Sequence, residues 1–304
     1  MRALVADPRA PGGIALQEVP EPEPARGEAI VDVHAISLNR GELNRLVAAA
    51  PGWRPGWDVA GTVREAASGG PSAGSRVVGV LGGGGWAERV AIPGNWLAEL
   101  PAKVSFAQAA ALPVAGLTAL RILRLGPDIL GRRVLITGAA GGVGRFAIQL
   151  ARLGGAEVTA IVGSPERAAG LEELGAATVV TSHHQLEGRY DLILESAGGE
   201  SLARLATMVH PDGTLVMFGN SSRQQTTFNV SDVYSVGAVR LQSFLIFPGL
   251  ARDPPGRDLA YLAGLVADGR LDPQVAGELP WEQMPEALRR LADRTVAGKL
   301  VLTI

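Results

Sequence analysis

The run Gly138-Ala139-Ala140-Gly141-Gly142-Val143-Gly144 carries the densest chemical signal in the sequence. Glycine at 138 and 141 permits a tight turn with no Cβ in the way, and Gly141, Gly142 and Val143 can then bring backbone N–H groups close to an anion. Gly144 lets the helix that follows lie tightly against its neighbours. Gly138, Ala140, Gly141, Gly142, Val143 and Gly144 are therefore read as facing a ligand. A lone glycine triplet is weak, but here an apolar run (RRVLITG) precedes it and a helical pattern (VGRFAIQLARLG) follows. In that context the chemistry is the grip of a dinucleotide diphosphate at the positive end of a helix.

The next apolar run decides which dinucleotide. It ends Ile161-Val162-Gly163-Ser164, with Arg167 a turn later and no acid at the tip. An Asp or Glu there would accept from a free ribose 2′-hydroxyl. Small Gly163 instead leaves room for a 2′-phosphate, Ser164 can donate to it, and Arg167 supplies positive charge. NADPH is expected over NADH. Ser164 also suits a helix N-cap before Pro165, Glu166 suits the first turn of a helix, and Arg167 alternatively reads as a solvated surface charge.

Residues Arg132 to Phe247 alternate strands and helices. RRVLITG, EVTAIVG, ATVVTS, YDLILESAGG, GTLVMFGN and LQSFLIF read as strands; VGRFAIQLARLG, SPERAAGLEELG and SLARLATMVH read as helices. Such alternation, with continuously apolar strands, predicts βαβ units around a parallel sheet. The first ~110 residues read as β-rich, with short apolar runs between Gly and Pro clusters. Phe106 to Leu125 has helical spacing interrupted at Pro113, and DLAYLAGLVADGRL and MPEALRRLAD are further helices. The apolar tail KLVLTI is most simply a strand returning to the N-terminal sheet. The expectation is α/β architecture in two domains, one formed by residues 1–112 and 248–304 and a dinucleotide-binding domain, 113–247, inserted within it.

Composition excludes several function classes. The 304 residues include no cysteine, so disulfides, thiolate metal sites and cysteine nucleophiles are ruled out. The net charge is -2 with no basic block, which argues against nucleic acid and anionic membranes as partners. No apolar run approaches the ~20 residues of a membrane span, and a cytoplasmic protein is expected. Four histidines are present, and the pair His183-His184 reads as a solvent-facing loop rather than half a metal site, because no further ligands with suitable spacing accompany it.

Taken together, ISLNRGELNR (36–45), PGWDVAGTV (55–63), GGGGWAERVAIP (82–93), AAALPVAGLTAL (109–120), TGAAGGVGRFAIQLAR (137–152), GGESLARLATMVHPDGTLVMFGN (198–220) and GKLVLTI (298–304) resemble the medium-chain dehydrogenase/reductase superfamily, and within it the zinc-free quinone oxidoreductase branch. The resemblance implies a GroES-like catalytic domain, a Rossmann domain and a homodimer. It places Asn39 near the nicotinamide ribose and substrate, and Thr118 beside the nicotinamide. Phe218, Gly219 and Asn220 would end a strand passing the cofactor, with Phe244 and Leu245 on the far wall. Where zinc-dependent relatives carry a cysteine and a Gly-His-Glu triplet, this chain has Ser37-Leu38-Asn39 and Gly56-Trp57-Asp58, so no metal is expected. The implied activity is NADPH-dependent reduction of a small quinone or α,β-unsaturated carbonyl. A tailoring enoyl reductase and a non-catalytic NADPH-binding sensor are the alternatives. The loop in which many relatives carry a tyrosine reads LVAAAPGWRPG, which leaves Arg40, Glu42, Trp53, Tyr234 or solvent to deliver the proton.

Overall fold

The computed structural model describes all 304 residues, which divide into two compact units, Met1–Leu117 with Ile246–Ile304, and Thr118–Leu245.

In the first unit the strand Glu28–Ser37 is central. It pairs antiparallel with Asp58–Glu65, Arg89–Pro93 and the tail strand Lys299–Thr303. The sheet runs Val275–Pro280, Lys299–Thr303, Glu28–Ser37, Asp58–Glu65, Arg76–Val80, Leu97–Glu99, and a separate hairpin joins Arg2–Ala6 to Ile14–Glu18. Val31, Val33, Ile36, Val63, Ile92, Trp86, Trp281, Leu300 and Leu302 fill its core. Burying each such side chain stabilises the unit by roughly 1.5–3 kcal/mol. This is the GroES-like architecture, and the apolar tail is part of it because Leu300 and Leu302 bury fully only when Lys299–Thr303 joins the sheet.

The second unit is a six-stranded sheet in the order Thr178–Val180, Glu157–Ile161, Arg133–Thr137, Tyr190–Glu195, Val209–Met217, Arg240–Ser243, parallel throughout. Numbered from its first strand this is 3-2-1-4-5-6, the Rossmann order, whose direction reverses between strands one and four. Val134, Leu135, Ile136, Leu192, Ile193 and Leu194 in those two strands are completely buried. Their uninterrupted apolar character follows from cover on both faces.

Two helical expectations change. SPERAAGLEELG forms a 3-10 turn, Pro165–Ala168, and a four-residue helix, Leu171–Leu174. Ala169 between them leaves the helical region (φ −53°, ψ 129°), and its carbonyl accepts from the Arg145 guanidinium at 2.9 Å. SLARLATMVH stops as a helix at Ala206, and Val209 is already in a strand, paired with Tyr190. Sheet pairing there outweighs the helical periodicity. The segment around Pro113 is two helices, Phe106–Ala110 and Pro113–Leu123, because proline takes the first position of the second one. No helix is long and apolar enough to cross a membrane.

Candidate functional site

The glycine turn leaves the first strand of the Rossmann unit as its sequence requires. Gly138 has φ +61°, and a Cβ there would lie 2.6 Å from Ser196 Oγ. Gly144 is held as closely, and by backbone, since a Cβ on it would meet Ala139 at 2.6 Å. The helix Gly142–Leu153 begins behind Gly141, which is extended (φ −80°, ψ 171°) and brings no side chain to cap the first turn. The first intrahelical bond is Arg145 N–H to Gly141 carbonyl, 3.0 Å. The amides of Gly142, Val143 and Gly144 precede that bond, so they form the open positive end of the helix, suited to a diphosphate.

Neighbouring strand ends converge on this turn. Ser196 donates its amide to Thr137 Oγ1 (2.7 Å) and its hydroxyl to the Thr137 carbonyl (3.2 Å), lacing strands one and four together. Glu195 is fully buried, and its carboxylate accepts from the amides of Ala197 (2.9 Å) and Gly198 (3.0 Å) and from Ser201 Oγ (3.2 Å). Burial raises its pKa, and these donors oppose the rise. Phe218 donates to the Glu195 carbonyl at 2.9 Å, Gly219 packs on Ser196, and Phe244 donates to the Met217 carbonyl at 2.8 Å. Gly138, Ala140, Gly141, Gly142, Val143, Gly144, Phe218, Gly219 and Phe244 are thus gathered along one edge of the sheet. Asn220 and Leu245 are exposed nearby in the chain, and Thr118 is buried in its helix. Gly163 is exposed with open space around its Cα, and Ser164 has the N-cap position without making a capping bond. Its hydroxyl instead binds Glu166, holding that carboxyl below its ordinary pKa.

Asn39 belongs to the other unit, where it sits in a buried polar network. Asp58 accepts from Ser37 Oγ (2.6 Å), Asn39 Nδ2 (2.8 Å) and the Val114 amide (2.8 Å), and pairs with Lys299 Nζ at 3.2 Å. Lys299 also donates to Asn39 Oδ1 (2.7 Å) and to the Leu38 carbonyl (2.9 Å). Glu42, one turn into the helix Arg40–Val47, accepts from the Asn39 amide and the Trp57 amide, both at 2.7 Å. Burial, then the nearby Asp58 charge, pushes the Glu42 carboxyl up to about 8, with Lys299 pulling the other way. Trp57 packs on Phe247 (ring centroids 4.6 Å apart), and its buried indole Nε1 has no hydrogen-bond partner. Of the other proton-donor candidates, Trp53 packs half-buried against the core of the same unit, while Tyr234 is 69% exposed on the Rossmann unit.

Comparison with known proteins gives these arrangements a family. Residues 25–102 match the alcohol dehydrogenase GroES-like domain, and residues 174–302 match the family described as zinc-binding dehydrogenase. The chloroplast envelope quinone oxidoreductase homolog of Arabidopsis thaliana is 29% identical over 95% of this chain and 94% of its own. The chain belongs to the medium-chain dehydrogenase/reductase superfamily, in its quinone oxidoreductase-like branch. It is an oxidoreductase. Within the superfamily it is also similar to part of the spectinabilin polyketide synthase system protein NorB of Streptomyces orinoci, at 34% identity over 92% of this chain and 13% of that one. The Escherichia coli quinone oxidoreductase complexed with NADPH shares the fold, with TM-score 0.86, 24% identity and 100% of both chains covered.

One of the matching family descriptions names zinc, and the residues around Asp58 do not fit that metal. The chain has no cysteine, and around Asp58 the position a cation would take holds the Lys299 ammonium, already bound to three oxygens. A dinucleotide diphosphate fits better, since the bare turn at Gly138 to Gly144 has its helix amides uncapped. Sequence reading missed Asp58, Lys299, Ser196 and Thr137. The first two carried a signal, because each is a charge that opens a strand against an apolar run (VAGTV after Asp58, LVL after Lys299), where a buried partner makes it tolerable.

Proposed function

We propose that this chain is an NADPH-dependent, zinc-independent reductase that delivers hydride to a quinone or α,β-unsaturated carbonyl compound. The observation that carries the reading is the glycine turn, where the helix Gly142–Leu153 begins with no side-chain cap behind a bare backbone. The amides of Gly142 to Gly144 would hold the diphosphate. Gly163 leaves space for the 2′-phosphate of the adenosine, with Ser164 and Arg167 as its partners. When bound, the dihydronicotinamide supplies the hydride, and the protein supplies position and electrostatics. A conjugated acceptor suits a site without a Lewis acid, because its incoming negative charge spreads to an oxygen that hydrogen bonds can stabilise. In the catalytic unit the Trp57 indole N–H is a buried donor left without an acceptor, available to such an oxygen. Asn39 is held by Asp58, Glu42 and Lys299, which fix its amide orientation for a positioning role.

The test is oxidation of NADPH in the presence of a panel of quinones and enones, with turnover expected. Tight NADPH binding without turnover on any acceptor favours a sensor. Turnover confined to enoyl thioesters favours the tailoring enoyl reductase, the reading supported by the similarity to the Streptomyces orinoci protein. The functional unit is proposed to be a homodimer. Its support is the exposed edge strand Arg240–Ser243, with Leu241 39% and Leu245 65% exposed.

A further inference from the structure

The Rossmann unit carries a second cluster of ligating side chains that hydride transfer does not use. His183 and His184 stand on a 3-10 turn, His183–Gln185, that follows the edge strand Thr178–Val180. The turn is held from within, since Ser182 Oγ accepts from the His184 amide (3.2 Å) and Gln185 Oε1 accepts from the amides of Thr181 (2.9 Å) and Ser182 (3.0 Å). Glu200, in the first turn of the helix Gly199–Ala206, reaches the same place. Its Oε1 lies 3.5 Å from Nε2 of His183 and 3.5 Å from Nε2 of His184. The two imidazoles are side by side, with centroids 4.2 Å apart, and all three donor atoms lie within 4.8 Å of one another.

Two features make this more than a surface ion pair. The His183 Nε2 is sealed from solvent and makes no hydrogen bond, although a carboxylate oxygen is 3.5 Å away. A buried ring nitrogen so placed lacks the partner that buried polar atoms normally have. The spacing also fits a tetrahedral ion. Zinc–ligand distances of about 2.0–2.1 Å give ligand–ligand edges of about 3.3–3.4 Å; both nitrogen–oxygen separations are 3.5 Å, and the two ring nitrogens lie within 4.8 Å of each other, so a small side-chain rotation closes the set.

We propose that His183, His184 and Glu200 form a three-ligand site for a late first-row divalent cation such as zinc, with water completing the coordination. Two imidazole nitrogens and one carboxylate oxygen suit zinc, nickel or copper, and do not suit calcium or magnesium, which demand oxygen. With His184 and Glu200 largely exposed, a cation enters without the fold opening. Once bound it staples the turn after the edge strand to the helix after the fourth strand. The site is separate from the Asp58 network and independent of the proposed reduction.

The probe is zinc alone, titrated into untagged, metal-depleted protein in competition with a chromogenic chelator. One zinc per chain is expected, with affinity lowered tenfold or more in His184→Ala and again in Glu200→Gln, and unchanged in His210→Ala. Bound copper should show coupling to two imidazole nitrogens by electron paramagnetic resonance. Equal zinc affinity in wild type, His184→Ala and Glu200→Gln overturns the proposal, as does stronger binding of magnesium than of zinc.

Discussion

Asp58 uses its acceptor capacity inside the protein, on Ser37, Asn39, Val114 and Lys299, whereas the amides that open the helix Gly142–Leu153 meet no side-chain cap. The two regions assign their polar groups opposite work. In the GroES-like unit a closed network neutralises charges that the core cannot solvate, and its product is a fixed Asn39. In the Rossmann unit the helix amides have no side-chain cap, and the proposed role of these donors is to be completed by a ligand. A change in the first region should therefore register as stability, and a change in the second as cofactor affinity.

Lys299→Met is the most forceful way to break this contrast. It strands Asp58 as a buried charge, and a loss on the order of 3–5 kcal/mol in urea unfolding is expected, with NADPH affinity of the folded protein little changed. Adding Asp58→Asn should recover part of that loss, which a double-mutant cycle measures. A loss of NADPH affinity larger than the loss of stability would erase the distinction.

Glu42 sharpens the same contrast through pH. In the folded chain it keeps its proton up to about 8, against 4.5 for an ordinary glutamate. The folded state therefore binds more protons across that window, and stability falls as pH rises from 4.5 towards 8, then levels. Glu42→Gln should flatten this slope, an effect on the order of 2–4 kcal/mol across the window. Unfolding curves of wild type and variant at several pH values read it directly, and parallel slopes contradict it.

A smaller effect is expected from Gly142→Pro. The extended Gly141 is the backbone that a residue before proline adopts, and the first helical position needs no amide for the fold. Thermal stability should hold while NADPH binds about tenfold to a hundredfold more weakly, one charge-assisted hydrogen bond being worth roughly 1.5–3 kcal/mol. Unchanged affinity would remove the amides from the diphosphate site.

The contrast also explains what could be read without coordinates. The glycine turn is legible because strand, turn and helix are contiguous, so spacing alone encodes it. The parallel sheet is legible for the same reason, and the returning tail because KLVLTI is a continuous apolar run of strand length. The Asp58 network joins positions 37, 39, 42, 58, 114 and 299, which meet only after the sheet has formed. The helix expected over SPERAAGLEELG breaks at Ala169 and Gly170, the glycine taking a left-handed φ of +77°, and the Ala169 carbonyl is bonded by Arg145 from another element. Glu200 joining His183 and His184 is a third case, invisible while the pair is judged by chain spacing.

Calorimetric titration of wild type and Arg167→Ala with NADPH and NADH tests the central claim most directly. One NADPH per chain is expected, bound about tenfold or more tightly than NADH, which is roughly 1.4 kcal/mol, and Arg167→Ala should abolish that preference while leaving NADH binding unaltered. Absence of binding heat with either nucleotide contradicts the account.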